Sequence, residues 1–116
     1  MTDYIPPIET FVPEYMKELC DMYAKPLEFS TQFERICEFK RNFERIHPFA
    51  DGNGRTGRFM MNLLLMQNGY LPITIKEDER AEYFESIENN TFCEFAAKKE
   101  VEALNMFLEK DKDYER

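Results

Sequence analysis

The chain has no tryptophan, a single histidine and only three cysteines among its 116 residues. A structural zinc site takes four cysteine or histidine ligands, so one histidine and no Cys-x-x-Cys pair argue against such a site. The cysteines, Cys20, Cys37 and Cys93, are odd in number and widely spaced. This pattern indicates free, buried thiols in a reducing compartment rather than a disulfide framework.

Long apolar runs are also missing. No segment approaches the roughly 18 consecutive apolar residues that indicate a membrane span. The N-terminus, with Asp3 and two prolines, has neither the basic nor the apolar region of a secretory signal. A hydrophobic content of 43% with 33% charged residues is ordinary for a soluble protein. We therefore expect one cytoplasmic domain over residues 1–116, without a membrane partner.

Basic charge is scarce and unevenly placed. The net charge of −8 argues against general nucleic-acid binding. Residues 35–58 nevertheless sum to +3, whereas the segments before and after them carry −5 and −6. A local positive region on an acidic protein suits capture of a small anion. Within this region, we expect Lys40, Arg41 and Arg45 to lie on one solvent-exposed face of a helix.

Three of the four glycines and the only histidine lie in one stretch, residues 46–58, which reads IHPFADGNGRTGR. Gly52, Asn53 and Gly54 are residue types that readily adopt the backbone angles of a tight loop. Such a loop can turn several N–H groups inward around an anion. Residues 59–66 are nearly all apolar and read as a buried helix. The loop should therefore lie at a helix N-terminus, where the macrodipole favours a phosphate.

The side chains of this loop suit phosphate chemistry. Asp51 offers a charged oxygen, and beside polyphosphate its expected cation is Mg²⁺. His47 is suited to general-base work near neutral pH, which implies transfer onto a hydroxyl. Asn53 can donate to a phosphate oxygen, and Arg55 and Arg58 can grip others. Each feature alone has an ordinary structural explanation, but together they predict a site for phosphoryl-type transfer.

Residues 47–58, HPFADGNGRTGR, resemble the signature of the Fic family, HPFxDGNGRxxR with Glu allowed for Asp, at every position. Looser similarity extends from Tyr4 to Leu108. The resemblance implies a compact all-α domain of about five helices with a short extended N-terminal flap remnant. It also implies a protein adenylyltransferase that moves AMP from ATP onto a Ser, Thr or Tyr hydroxyl of a target protein. A phosphotransferase branch replaces the Gly-Asn-Gly-Arg segment with a lysine version, which this chain lacks.

The resemblance also implies a role for each residue of the loop. His47 would deprotonate the target hydroxyl, Phe49 would anchor the loop in the core, and Asp51 would hold Mg²⁺ on the α- and β-phosphates. The anion hole and the contacts to the outer phosphates would come from Gly52, Asn53, Gly54, Arg55 and Arg58.

Two departures from the family affect the interpretation. Family members often place a tyrosine near the adenine, which makes Tyr83 a candidate nucleotide-binding residue beside the alternative of core packing. The Gly-Asp turn that usually follows is reduced to residues 88–90. The inhibitory pattern S/TxxxE followed by Gly or Asn has no full match, so an inhibitory helix is upstream, on an antitoxin-like partner, or absent. The competing function is a catalytically impaired nucleotide-binding or partner-binding helical module, truncated at its N-terminus.

Apolar periodicity predicts the elements. Pro13 suits the first turn of a helix, and Thr31 with Glu34 forms a capping box. Pro48 disfavours helical angles at His47, so the second helix should end there. The expected helices span residues 13–25, 31–46, 55–67, 74–87 and 91–108. An extended flap with Tyr4 and Ile5 is expected over residues 3–7, an extended apolar connection over 70–75 and a frayed tail over 110–116.

The same periodicity predicts which side chains are buried. The expected core positions on the first, second and last helices are Met16, Leu19, Cys20, Tyr23, Phe29, Phe33, Ile36, Cys37, Phe43, Ile46, Phe95, Val101, Leu104, Phe107 and Leu108.

Overall fold

The computed structural model describes residues 11–46 and 52–114, with side chains through residue 110. These residues form an all-α arrangement without strands, as expected. Its five α-helices are α1 (Val12–Ala24), α2 (Gln32–Ile46), α3 (Asn53–Gln67), α4 (Arg80–Glu88) and α5 (Phe92–Tyr114).

The first two helices begin and end where the sequence predicts. Pro13 lies in the first turn of α1, and Lys25 ends that helix in an extended conformation. At the start of α2, the Thr31 hydroxyl accepts from the Glu34 N–H at 3.1 Å, and the Glu34 carboxylate accepts from the Thr31 N–H at 2.9 Å. This reciprocal capping box confirms the predicted start of α2.

The end of α3 is a Schellman motif. Gly69 has a φ of +83°, its N–H donates to Met66 O, and the Tyr70 N–H donates to Leu65 O at 2.9 Å. The following connection is neither helix nor strand, and it packs on the core, as predicted, through Ile73, which is 4% exposed. The Asn62 side chain accepts from the Ile73 N–H and donates to its carbonyl, so one α3 residue holds this connection in place.

The fourth helix begins later than the sequence suggests. A short 3₁₀ turn, Glu77–Glu79, precedes α4, and the Lys76 N–H donates to the Glu79 carboxylate. The cap is therefore formed by Lys76 and Glu79 rather than by Thr74. At its far end, Asn90 adopts a φ of +59° and the Thr91 N–H donates to Ser86 O, which closes α4 with a second Schellman-type turn.

The core surrounds α2, which packs against α1, α3 and α5. A smaller cluster, Leu19, Phe39 and Phe43, lies between α1 and α2. The main cluster consists of Ile36, Cys37, Met61, Leu65, Ile73, Tyr83, Ile87, Phe92, Phe95 and Ala96.

Several predicted core positions are wrong. Phe29 is 99% exposed because it precedes α2, in the turn after α1, and no described element covers it. Cys20 is exposed on α1. Burial on α5 ends near Lys99, so four expected core residues of its distal half are about half exposed. These four are Val101, Leu104, Phe107 and Leu108.

Three further expectations concern the termini and the surface. The tail expected to fray from Lys110 is helical through Tyr114. Tyr4 and Ile5 of the predicted flap lie outside the described residues. None of the described helices has the length and apolar content that crossing a membrane requires.

Candidate phosphate-binding site

Gly52 sets the geometry at the start of α3. Its φ of +80° and ψ of 11° are left-handed, a conformation that glycine adopts without steric cost. The first backbone bond of the helix runs from the Thr56 N–H to Gly52 O at 2.9 Å. The amides of the residues ahead of Thr56 precede this first bond of the helix, as at any helix N-terminus. Gly52 has no side chain with which to cap this end.

The charges at this helix end have the sign that an anion requires. The first turn of α3 contains no acidic residue. It contains the exposed Arg55, followed one turn later by the half-buried Arg58, whereas Asn53 is only 5% exposed. Basic side chains at the positive end of a helix dipole destabilise the isolated helix. A bound anion would relieve this repulsion.

Two glycines let α2 side chains approach this turn. A Cβ atom on Gly57 would lie 3.2 Å from Phe43 Cδ1 and 3.6 Å from Lys40 Cδ. A Cβ atom on Gly54 would lie 3.0 Å from Arg58 Nη1 and 3.7 Å from Glu44 Oε1. The start of α3 is thus set directly against the last turns of α2.

A buried polar cluster lies behind the turn and joins α2 to α4. Lys40, which is 0% exposed, donates through Nζ to Glu44 Oε2 at 2.8 Å and to the Tyr83 hydroxyl. The Tyr83 hydroxyl donates to the same Glu44 Oε2 at 2.6 Å. The Arg58 guanidinium belongs to the same cluster, because its charge acts on both Lys40 and Tyr83. We call Lys40, Glu44, Tyr83 and Arg58 the inner cluster.

Burial dominates the ionisation of the inner cluster. Desolvation lowers the pKa of Lys40 despite the opposing charge of Glu44, and the charge of Arg58 lowers it further. Desolvation, followed by the charge of Glu44, raises the pKa of Tyr83 far above its usual value of 10, although Arg58 opposes the shift. Tyr83 is therefore a neutral hydroxyl at any physiological pH.

The structure brings together most of the predicted phosphate-binding residues and leaves others undescribed. Gly52, Asn53, Gly54, Arg55 and Arg58 share the first turns of α3. The proposed base His47, the anchor Phe49 and the metal ligand Asp51 lie outside the described residues.

Tyr83, the predicted adenine-site residue, is 1% exposed. Its ring packs against Phe84, Phe92 and Phe95 at centroid distances of 5.2–5.9 Å. The structure thus shows the packing role that the sequence left open, and contact of Tyr83 with a nucleotide stays a prediction.

Sequence reasoning missed Lys40 and Glu44. Lys40 is buried rather than part of a solvated face, and Arg41 is half-buried, with its Nε donating to Ile87 O at 2.7 Å. Position 40 lies four residues after Ile36 and three before Phe43, which places it on the apolar stripe of α2. That register is the signal by which a buried lysine could have been found.

Comparison with known proteins identifies the family. The model of the Fic/DOC family matches residues 1–65, which include α1, α2 and most of α3. The chain belongs to the Fic/DOC family. The matched residues include Gly52, Arg55 and Arg58, and the family is the one that the sequence resemblance indicates.

Similar proteins include curated adenylyltransferases. The protein adenylyltransferase fic-1 of Caenorhabditis briggsae is 35% identical over 89 residues, which are 72% of this chain and 18% of that protein. The protein adenylyltransferase Fic of Nematostella vectensis is 34% identical over 88 residues, covering 73% of this chain and 20% of its own length. The chain therefore spans about a fifth of the length of these relatives.

A solved structure agrees with the fold. A Fic domain containing signaling protein from Bacteroides thetaiotaomicron superposes with a TM-score of 0.78 at 24% identity. The match covers 88% of this chain and 46% of that protein. It supports the arrangement of helices described above.

Proposed function

We propose that this chain is a protein adenylyltransferase domain that transfers AMP from Mg²⁺-ATP to a Ser, Thr or Tyr hydroxyl of a target protein. The observation that carries the proposal is the start of α3. There, a left-handed Gly52 precedes a helix whose first turns contain only basic charged residues, Arg55 and Arg58. The curated relatives named protein adenylyltransferases support this choice of reaction.

In the proposed reaction the target oxygen bonds to the α-phosphorus of ATP, and the bond from that phosphorus to the pyrophosphate leaving group breaks. His47 would accept the proton of the target hydroxyl. The amides of Gly52, Asn53 and Gly54 would stabilise charge on phosphate oxygens, and Arg58 would bind the outer phosphates. Most of the catalytic effect would come from positioning and charge stabilisation.

The proposed metal ligand is Asp51, which directly precedes Gly52 in the sequence. Among the described residues there is no cluster of three or more metal-binding side chains. Mg²⁺ is commonly held by one or two carboxylates together with substrate phosphates. Asp51 would supply the carboxylate, and the metal would neutralise charge on the phosphates.

The first experiment asks which phosphate is transferred. The purified chain is incubated with Mg²⁺ and ATP labelled at the α- or the γ-position, alone and with candidate target proteins. We expect protein label from α-labelled ATP only, with no label from the His47→Ala variant. Label that arrives only from the γ-position would replace the proposal with phosphotransfer.

Calorimetry then separates the enzyme from the competing binding module. ATP that binds without any transfer would favour the catalytically impaired module. A chain whose melting temperature responds to neither ATP nor Mg²⁺ would be a helical domain without nucleotide binding, because a ligand at 100 times its Kd stabilises the folded state by about 2.7 kcal/mol.

The partners belong to the same proposal. The target is a protein with an accessible hydroxyl side chain, held along the predicted flap at Tyr4 and Ile5. An antitoxin-like protein is a proposed inhibitory partner, and the cytoplasm is the proposed location. Copurification from cytoplasmic extract with and without α-labelled ATP tests these expectations together.

A further inference from the structure

Arg58, the cation of the inner cluster beside Gly54, is in none of the ion pairs that the structure gives for the described residues. Those pairs join Lys17, Lys40, Lys98 and Lys99 to carboxylates. The charge of Arg58 acts on the neutral Tyr83 hydroxyl, which does not cancel it. An arginine without a carboxylate partner keeps its full charge for a ligand.

Glu44 is the carboxylate that could remove this charge. Its Oε1 and Arg58 Nη1 both lie within 4 Å of the position that a Cβ atom on Gly54 would take. The Glu44 side chain is only 14% exposed, so water screens its charge poorly. Its Oε2, however, accepts from both Lys40 and Tyr83.

We propose that Lys40 is a positioning residue that binds the Glu44 carboxylate and keeps it from pairing with Arg58. Arg58 is thereby left available for the phosphates of the substrate. This inference rests on the proposed function and adds a role for a lysine that does not reach the nucleotide. Without the Lys40 ammonium, the Glu44 carboxylate would be buried beside one remaining cation. It would then pair with Arg58 and compete with the phosphate.

The variant that tests the proposal is Lys40→Met, which keeps an unbranched apolar stem of similar length in the buried position. We expect the KM for Mg²⁺-ATP to rise roughly tenfold, the order expected for loss of one charge-assisted contact. The value of kcat should change little, since Arg58 would be lost from ground-state and transition-state binding alike. A purely structural defect would instead lower the active fraction and leave KM unchanged.

The double variant Lys40→Met/Glu44→Gln separates charge competition from lost packing. Its glutamine cannot neutralise Arg58, so we expect KM to return to within about threefold of the original value. The matched control is Lys99→Met, which removes another buried lysine, paired with Glu79 and Glu102, at a site away from α3. An unchanged KM in Lys40→Met, or a double variant as impaired as the single one, would overturn the proposal.

Two further measurements keep the test decisive. If Lys40→Met does not fold, Glu44→Gln alone should leave KM unchanged or lower it, and a rise in KM would contradict the proposal.

If the unmodified chain transfers no AMP, the proposed reaction is wrong, but the role of Lys40 can still be tested. Calorimetric titration with inorganic tripolyphosphate then tests Lys40, with weaker binding by Lys40→Met and recovery in the double variant as the expected results. Equal affinities in the three proteins would refute the role of Lys40.

Discussion

Gly57 is the residue at which α3 lies against the α2 side chains Phe43 and Lys40. Phe43 is 2% exposed and Lys40 is 0% exposed, so neither has free space to move into. A Cβ atom on Gly57 would approach Phe43 Cδ1 to 3.2 Å, closer than an ordinary van der Waals contact. The glycine is therefore required by packing between helices rather than by its backbone angles.

We expect Gly57→Ala to destabilise the domain by about 1 kcal/mol. Overpacking a core costs about 1–3 kcal/mol, and the better helix propensity of alanine returns about 1 kcal/mol. Urea denaturation measures the difference. The control is Gly54→Ala, whose Cβ would lie 3.0 Å from the end of the Arg58 side chain and 3.7 Å from Glu44 Oε1, and which should leave stability unchanged or slightly higher. A Gly57→Ala variant as stable as the control would show that Phe43 moves to accommodate the added methyl group.

The three cysteines should differ in reactivity. Cys20 is exposed, Cys37 is buried and Cys93 is half-buried. Burial raises the pKa of both Cys37 and Cys93. Because the thiolate is the reactive form, we expect one rapid thiol per chain with a disulfide reagent at about pH 8. Cys20→Ser should abolish the rapid phase, and urea should expose three thiols in the unmodified chain. Two rapid thiols in the folded chain would contradict the packing of α5 on α2.

At the scale of the helices, local signals predicted most boundaries. The Thr31 capping box and the Asn68-Gly69 cap depend only on neighbouring residues, so the sequence is sufficient to find them. The turn at Gly52 was predicted for the same reason, because its left-handed angle is a property of the residue type.

The errors concern packing between helices. Leu104 and Phe107 lie on an apolar face that predicts burial, yet they are 48% and 59% exposed because no described element covers the distal half of α5. Lys40 has the charge of a surface residue, but its position on the α2 stripe places it against Tyr83 from a helix 43 residues away. Its partner could not be read from the sequence, since the pairing depends on how α4 docks.

Asn62 provides a test of how the helices are linked. Its side chain satisfies both the N–H and the carbonyl of Ile73, at 3.0 and 3.1 Å. We expect Asn62→Ala to cost about 2 kcal/mol, because it leaves two partly buried backbone groups unpaired. Amide exchange at Ile73 should accelerate more than exchange in α2. The control is Asn105→Ala on the exposed part of α5, and equal effects of the two variants would count against this role.

At the scale of the whole molecule, a second buried lysine joins elements that are distant in sequence. Lys99 on α5 is 5% exposed and donates to both Glu79 oxygens, at 2.8 and 3.0 Å, and to Glu102 at 3.0 Å. Burial lowers its pKa, but the hydrogen bonds with Glu79 and Glu102 outweigh burial and leave the pKa above 10.5. The hydrogen bond from Lys99, assisted by the Lys76 N–H, lowers the pKa of Glu79 below 4.5.

These shifts predict the pH dependence of stability. The contribution of Glu79 is complete above about pH 4.5 and is lost as the pH falls through its lowered folded pKa. The contribution of Lys99 to stability is complete below about pH 10.5 and is lost as the pH rises through its raised folded pKa.

We therefore expect the Glu79→Gln variant to have a lower urea midpoint at neutral pH. When the pH is reduced to about 3, this variant should lose less further stability than the unmodified chain. Glu85→Gln, an exposed carboxylate on α4, is the control and should follow the unmodified chain at every pH. Parallel acid profiles for all three proteins would mean that Lys99 does not hold Glu79 in solution, and that the ion pair between Lys99 and Glu79 does not join the 3₁₀ turn before α4 to α5.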